Sequence, residues 1–347
     1  MFEALKEVDT NCVVVMPDFF VDRILTLRSQ EEFCNLLAEK VKFGGGSIRN
    51  IDTTERKGGN AVNVAYCLAR LGIKNTTLFT IADEFGSVML HKVFSKFGGR
   101  VNLRVEHGRH GRTTGLEFLN SNTSKANVML NDVGDNEYFG PDKIDSDVNL
   151  KILENANAVI VVNWGSNLKG SELTRFAFNN SAKSFHYIDP ADIESRKDEF
   201  RDFLRTISKN IDALALNENE ANSLGNSLGL NSLLPPNDYD EEDVKNAAVQ
   251  ISSNLGINTD IHTRIGAASS NRKKVDYVPA FEVQAKTLTG AGDSWDSANI
   301  LCYLARINAR ERLMFSNAYA SLYVRSSQGE HPSKDETLEF LKDFNTI

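Results

Sequence analysis

The sequence predicts an α/β protein: a mostly parallel sheet covered by helices on both sides. Three observations predict it. Short apolar runs rich in β-branched residues recur along most of the 347 residues. Segments with apolar residues at helical spacing lie between them. The runs are also apolar throughout rather than alternating, as strands buried on both faces are.

Taken in order, Cys12–Met16 opens the chain as a strand. Residues 28–43 read as a helix ahead of Gly44-Gly45-Gly46. Asn60–Leu71 is the next helix, with Gly72 placed to cap its C-terminus. A strand follows at 76–81. The helix expected at 87–97 then carries Met89, Leu90, Val93, Phe94 and Phe97 on one face before Gly98-Gly99. Further strands are expected at Ala158–Val162, 185–188, 212–216 and 260–263, and a further helix at 295–304. Between 222 and 240, three Asn-Ser-Leu triplets and Pro235-Pro236 mark a helix end and a surface loop.

One region breaks the alternation. Residues 113–120 and 126–133 read as two strands joined by the polar turn Ser121-Asn122-Thr123-Ser124-Lys125. A hairpin inserted in a parallel chain either pairs with an edge of the main sheet or builds a small second sheet over a site. The second arrangement, a lid, is the expectation.

Composition narrows the function classes. The chain is 41% hydrophobic and 25% charged, as ordinary soluble globular proteins are. Its net charge of −8, with no long Lys/Arg block, argues against a nucleic-acid partner. No apolar run is long enough to cross a bilayer, and 1–12 has no secretion-signal pattern. Cys12, Cys34, Cys67 and Cys302 are widely spaced, three of them in apolar segments. Buried, reduced thiols and a cytoplasmic location are expected.

The most telling stretch is Thr289-Gly290-Ala291-Gly292-Asp293-Ser294-Trp295. It sets a small-residue turn before a helix, with Asp293 in the first turn. Free amides and the positive end of the dipole make such a turn an anion site. A carboxylate beside it is placed to take a proton from a hydroxyl that attacks a phosphoryl group, which points to a small-molecule kinase. Trp295 stands where a dinucleotide fingerprint needs its third glycine, and no P-loop lysine follows any glycine turn. Gly58-Gly59-Asn60-Ala61-Val62-Asn63 opens another helix, where the glycines admit a ligand and Asn63 offers a donor and an acceptor. The plainer alternative is Asn60 as a cap with Asn63 exposed. Asp22, just after the first strand, suits a ligand hydroxyl but equally suits a turn. Asn217 and Glu220, at i and i+3, form either a capping box or a pair holding Mg²⁺ through water.

Together these residues resemble the ribokinase family, the PfkB carbohydrate kinases. Gly58-Gly59-x-x-x-Asn63-x-Ala65-x-x-Leu68-Ala69-Arg70-Leu71-Gly72 matches one family signature, and Thr289-Gly290-Ala291-Gly292-Asp293-Ser294 matches the other. Asn217-x-x-Glu220 is similar to a third motif, and Asp22 to the sugar-binding aspartate. The resemblance implies a ribokinase-like three-layer sandwich, one kinase domain over 1–347, with a small β-rich lid from segments near 17–57 and 110–135. It implies Asp293 as base, with the amides of Gly290, Ala291 and Gly292 as anion hole. It further implies Asp22, Gly58, Gly59 and Asn63 on the acceptor, Asn217 and Glu220 with Mg²⁺ and the nucleotide, and Asn317 at the adenine. ATP is the implied phosphate donor and a sugar-like molecule the acceptor. A nucleoside kinase of the same fold and a non-catalytic ligand-binding relative are the alternatives, the first suggested by Phe19 and Phe20 beside Asp22. Relatives pair through their lids, so a homodimer is also implied. The pattern departs at Thr287, where an aspartate associated with monovalent-cation binding is usual, and at His262–Ala267, where Gly-x-x-Gly is usual.

Overall fold

Strands without a polar face have to be covered on both sides, and here they lie in the middle of one nine-stranded sheet. The computed structural model describes residues 3–119, 125–230, 233–235, 238–327 and 329–344. β1 (Cys12–Met16) pairs in parallel with β4 (Asn75–Ala82) on one side and β8 (Ala158–Val162) on the other. β5 (Val101–His107) extends the first side in parallel. β9 (Phe185–Asp189), β10 (Ala213–Asn217) and β11 (Thr259–His262) extend the second, also in parallel. β12 (Gly266–Ser270) and β13 (Val275–Pro279) finish that edge antiparallel.

Alternate side chains of these strands feed two cores. Val14, Met16, Val159 and Val161 point to one core, covered by α4 (Asp147–Glu154), α5 (Gly170–Asn179), α6 (Lys197–Ile207), α7 (Glu218–Ser227) and α8 (Glu241–Leu255). Val13, Val15, Ile160 and Val162 point to the other, covered by α2 (Asn60–Leu71), α3 (Glu84–Ser95), α9 (Ala291–Leu304), α10 (Ala309–Val324) and α11 (Lys334–Phe344). Each such aliphatic side chain, fully buried, contributes about 1.5–3 kcal/mol.

The expected hairpin does not join this sheet. β6 (Gly111–Leu119) and β7 (Lys125–Asp132) belong to a separate four-stranded sheet ordered β3-β2-β6-β7, with β2 (Phe20–Leu27) and β3 (Asp52–Gly58). The turn expected between β6 and β7 falls outside the described residues, apart from Lys125. β2 follows β1 directly and runs parallel to β6 and antiparallel to β3. This is the lid. α1 (Gln30–Lys42) is inserted between β2 and β3, capped by the Ser29 hydroxyl, and buries none of its residues.

Two expectations are corrected. Only Cys67 and Cys302 are buried; Cys12 and Cys34 are exposed. Cys12 lies at the first position of its apolar strand, where the sheet meets solvent. The segment after α7 is more than a surface loop. Leu233 and Leu234 are buried, and the Asn222 amide clips Leu234 through both its N–H and its C=O. Among the described residues, no helix is long and apolar enough to cross a membrane.

Candidate active site

In a parallel sheet the strand C-termini share one edge, and ligands bind where the strand order reverses. Here β1 lies between the branches that continue to β4 and to β8. The polar residues collect beyond that edge: Asp18 after β1, Asn163 after β8, Asp189 ending β9, Asn217 and Glu220 after β10, and His262 ending β11. The N-termini of α2 and α9 meet there, under the lid strands β2 and β3.

Asp293 is the meeting point. It lies in the first turn of α9 and is 6% exposed. Asn60 Nδ2 donates to its Oδ1 at 2.9 Å, and Asn63 Nδ2 donates to its Oδ2 at 2.8 Å. Burial pushes its carboxyl up to about 7; Asp189 and Asp18 add to this, while the Asn63 bond and Lys57 oppose it. A carboxyl with that proton affinity is poised to exchange a proton near neutral pH.

The turn before it is held from behind. Gly290 caps α9 at φ 87°, and a Cβ there would sit 2.9 Å from the Tyr323 hydroxyl. That hydroxyl donates to Thr289 O at 2.6 Å. The Tyr323 ring stacks on His331 at 4.3 Å, and His331 Nδ1 lies 3.0 Å from Ser294 Oγ. Ser294 in turn donates to Gly290 O at 2.8 Å. The anion hole needs one correction. The Ala291 amide is engaged, donating to Leu288 O at 3.1 Å. Among the described residues, the amides of Gly290, Gly292 and Asp293 have no acceptor in the protein. The open donors are thus Gly290, Gly292 and Asp293.

On the lid side, Asp22 of β2 packs against Gly58 at the end of β3. Burial raises the Asp22 carboxyl above the usual range, with the neighbouring Thr113 and Lys57 opposing it. A Cβ on Gly58 would come within 2.3 Å of Asp22 Oδ2. Gly58→Ala is therefore expected to push Asp22 out of place. If Asp22 holds a substrate, this should lower kcat/KM by about 10²-fold, the loss that follows a misplacement of about 1 Å, as steady-state kinetics would measure. Next to it, Gly59 is the N-cap of α2.

Asp18 was not singled out by the sequence. It accepts from the Asn60 and Ala61 amides, each at 2.8 Å, and from Asn163 Nδ2 at 3.0 Å. It therefore caps α2 from outside and joins β1, α2 and the loop after β8. Asn60 is accordingly no cap: its side chain is turned to Asp293. Nor is Asn63 exposed. Its Oδ1 takes the Lys57 ammonium at 2.5 Å while its Nδ2 holds Asp293. Phe19 and Phe20 are both buried, with Phe19 against His110, and neither ring is open to a base.

Asn217 and Glu220 make the capping box. Asn217 Oδ1 accepts from the Glu220 amide at 3.0 Å, and Glu220 accepts from the Asn217 amide at 2.9 Å and from Asn217 Nδ2 at 2.7 Å. Burial, then Asp189, Asp192 and Glu218 nearby, push the Glu220 carboxyl well up. Among the described residues, no three His, Cys, Asp or Glu side chains converge as a metal cage. The donor set instead suits Mg²⁺ held through water, since crowded carboxylates favour a cation and Mg²⁺ keeps most of its waters. Asn317 is turned inward. It donates to Val278 O and Pro279 O and accepts from Trp295 Nε1, so both amide hydrogens serve β13.

Two helix N-termini thus meet under the lid, with a carboxylate between them and open amides beside it. The chain belongs to the pfkB family of carbohydrate kinases, whose model matches residues 32–336. It is similar to the ribokinase of Haemophilus influenzae, 24% identical over 291 residues, covering 82% of this chain and 87% of that one. It is also similar to an ATP-dependent ribose-1-phosphate kinase of Halopiger xanaduensis, 26% identical over 303 residues, covering 86% and 90%. In fold it matches the Arabidopsis thaliana ribokinase solved with ribose and ATP, with a TM-score of 0.71 at 20% identity over 96% of this chain and 99% of that one.

Proposed function

We propose that the protein transfers the γ-phosphoryl group of ATP to a hydroxyl of a sugar or sugar-like acceptor, with Asp293 as the base. The observation that carries this reading is the Asp293 carboxylate, held at a helix N-terminus beside amides that have no acceptor. Phosphoryl transfer asks chiefly for positioning and for donors aimed at developing charge. The Gly290, Gly292 and Asp293 amides would face the transferred group. Asp22 and the backbone at Gly58 and Gly59 would hold the acceptor, while Asn217 and Glu220 would hold Mg²⁺ through its waters. Bound there, Mg²⁺ supplies charge neutralisation at the nucleotide phosphates. With both hydrogens of the Asn317 amide spent on β13, that residue shapes the adenine end through packing. The sugar reading is favoured over a nucleoside by the buried Phe19 and Phe20 and by the names of the relatives.

Two further readings accompany this one. Exposed Val128 and Leu130 on β7, at 47% and 55%, suit a homodimer through the lid. Four free cysteines, two of them exposed, suit a reducing, cytoplasmic location.

The test offers ATP, GTP and ADP against neutral sugars, sugar phosphates, sugar acids and nucleosides. ATP-dependent phosphorylation of a sugar or sugar derivative is the expected result. Product from nucleosides alone would replace the sugar reading. Thermal stabilisation by an acceptor, with no product from any donor, would overturn catalysis and leave a ligand-binding protein.

A further inference from the structure

Lys57 is the residue that the motifs leave unexplained. It is half-buried on β3, immediately before the glycine pair, and among the described residues it forms no ion pair within 4 Å. Its Nζ instead donates to Asn63 Oδ1 at 2.5 Å and lies 4.3 Å from the centre of the Tyr66 ring. The Asn63 amide continues the line, with Nδ2 donating to Asp293 Oδ2 at 2.8 Å. Ammonium, amide and carboxylate therefore form one chain from the lid strand to the first turn of α9.

We propose that Lys57 is a positioning residue for the base: it fixes which end of the Asn63 amide faces Asp293, and it places a positive charge one amide away. The inference rests on Asp293 being the base of the proposed reaction. The physical argument has two parts. An ammonium has only donors, so it requires an oxygen and turns the amide nitrogen toward the carboxylate. Without Lys57 the amide is free to rotate, and in the flipped form two oxygens would face each other. The positive charge also favours the ionised form of Asp293. The charged and titratable groups around the pair are Asp18 after β1, Asp22 on β2, Asp189 ending β9, Cys67 on α2 and Lys96 after α3. Lys96 lies 4.7 Å from the centre of the Tyr66 ring, and Arg56 neighbours Asp22 on β3. Tyr323 and His331 complete the surroundings, and burial keeps His331 neutral. The carboxylates cannot replace Lys57, since each of them raises the proton affinity of Asp293.

The experiment compares wild type, Lys57→Met and Lys57→Arg by the pH dependence of kcat/KM and of kcat. Since the base must be ionised, wild-type activity should rise with pH through about 7, where the Asp293 carboxyl is placed. In Lys57→Met that acidic limb should move up by about one unit, the low end of what a nearby opposite charge does. Activity at pH 7 should fall about fivefold, approaching tenfold at lower pH, and largely recover in alkaline buffer, with the acceptor KM little changed. Lys57→Arg should return the limb toward wild type. Carboxyl-¹³C titration of Asp293, assigned with Asp293→Asn, reads the same shift without turnover, so it stands even if no acceptor is found. Three results would overturn the proposal. One is an unmoved limb with a raised acceptor KM, which makes Lys57 an acceptor contact. Another is an equal loss at every pH that arginine does not rescue, which makes it structural. The last is an Asp293 carbon that titrates alike in all three proteins.

Discussion

Asp293→Asn is expected to lower kcat by about 10²–10⁴, the usual contribution of a placed proton acceptor, while acceptor and nucleotide still bind. The substitution keeps the shape of the side chain and removes its capacity to take a proton. It also disturbs a local match. Asn60 and Asn63 each donate to one carboxylate oxygen, and an amide in its place offers one oxygen and one NH₂. One donor therefore loses its partner. Set against that, the buried carboxylate is no longer present, and its ionised form is costly at 6% exposure. The melting temperature should thus stay within a few degrees of wild type. Steady-state turnover together with ligand-induced shifts in melting would check both parts. Turnover within about threefold of wild type would remove Asp293 from the reaction.

What the sequence could and could not reveal follows from how each element is buried. β1, β8 and α2 were readable with their bounds, because a continuous apolar run and a 3.6-residue period ending in glycine are strong signals. β9 and β10 were found with ends displaced by a residue, since polar Asp189 and Asn217 do not look like strand, and β11 was displaced by one residue as well. The lid strand β3, Asp-Thr-Thr-Glu-Arg-Lys-Gly, has no apolar residue, and its first five residues are exposed. It is a strand because β2 pairs with it, and no pattern of burial marks it. β12, Gly-Ala-Ala-Ser-Ser, is buried yet made of small residues that carry little strand propensity.

The site divides in the same way. Asp293 and the glycines were legible because a turn, a charge and a helix start coincide in seven residues. Asp18 was not, since a carboxylate after a strand has many uses and its partners are 42 to 145 positions away. Tyr323 and His331, which support the turn from behind, lie in stretches with no motif at all. Lys57 stood next to a signature without belonging to it.

The second large effect concerns stability. Asp260→Ala is expected to destabilise the protein by about 3–5 kcal/mol, the range for breaking a buried ion pair from one side. Asp260 on β11 is 0% exposed and Arg312 on α10 is 3% exposed. Arg312 Nη1 reaches Asp260 Oδ2 at 2.8 Å, and Nη2 reaches Oδ1 at 3.2 Å. Asn299 Nδ2 of α9 and the Tyr303 hydroxyl also donate to Asp260 Oδ2, at 2.9 and 2.8 Å. Burial opposes the charge of Asp260, yet the Arg312 guanidinium and these bonds hold its carboxyl below the usual range. Alanine would leave the guanidinium in the interior with, among the described residues, only Asn299 and Ser269 as hydrogen-bond partners besides the Tyr303 ring it lies over. The pair joins the sheet edge to α9 and α10, so its loss loosens the support of the helix that carries Asp293. Turnover per folded molecule should change far less than the denaturation midpoint. Replacing both partners, Asp260→Leu with Arg312→Met, should recover most of the loss, because the penalty comes from the orphaned charge more than from the missing attraction. If the double variant is as unstable as Asp260→Ala alone, the polar network around Asn299 and Tyr303 holds this corner together, and the ion pair is only one part of it.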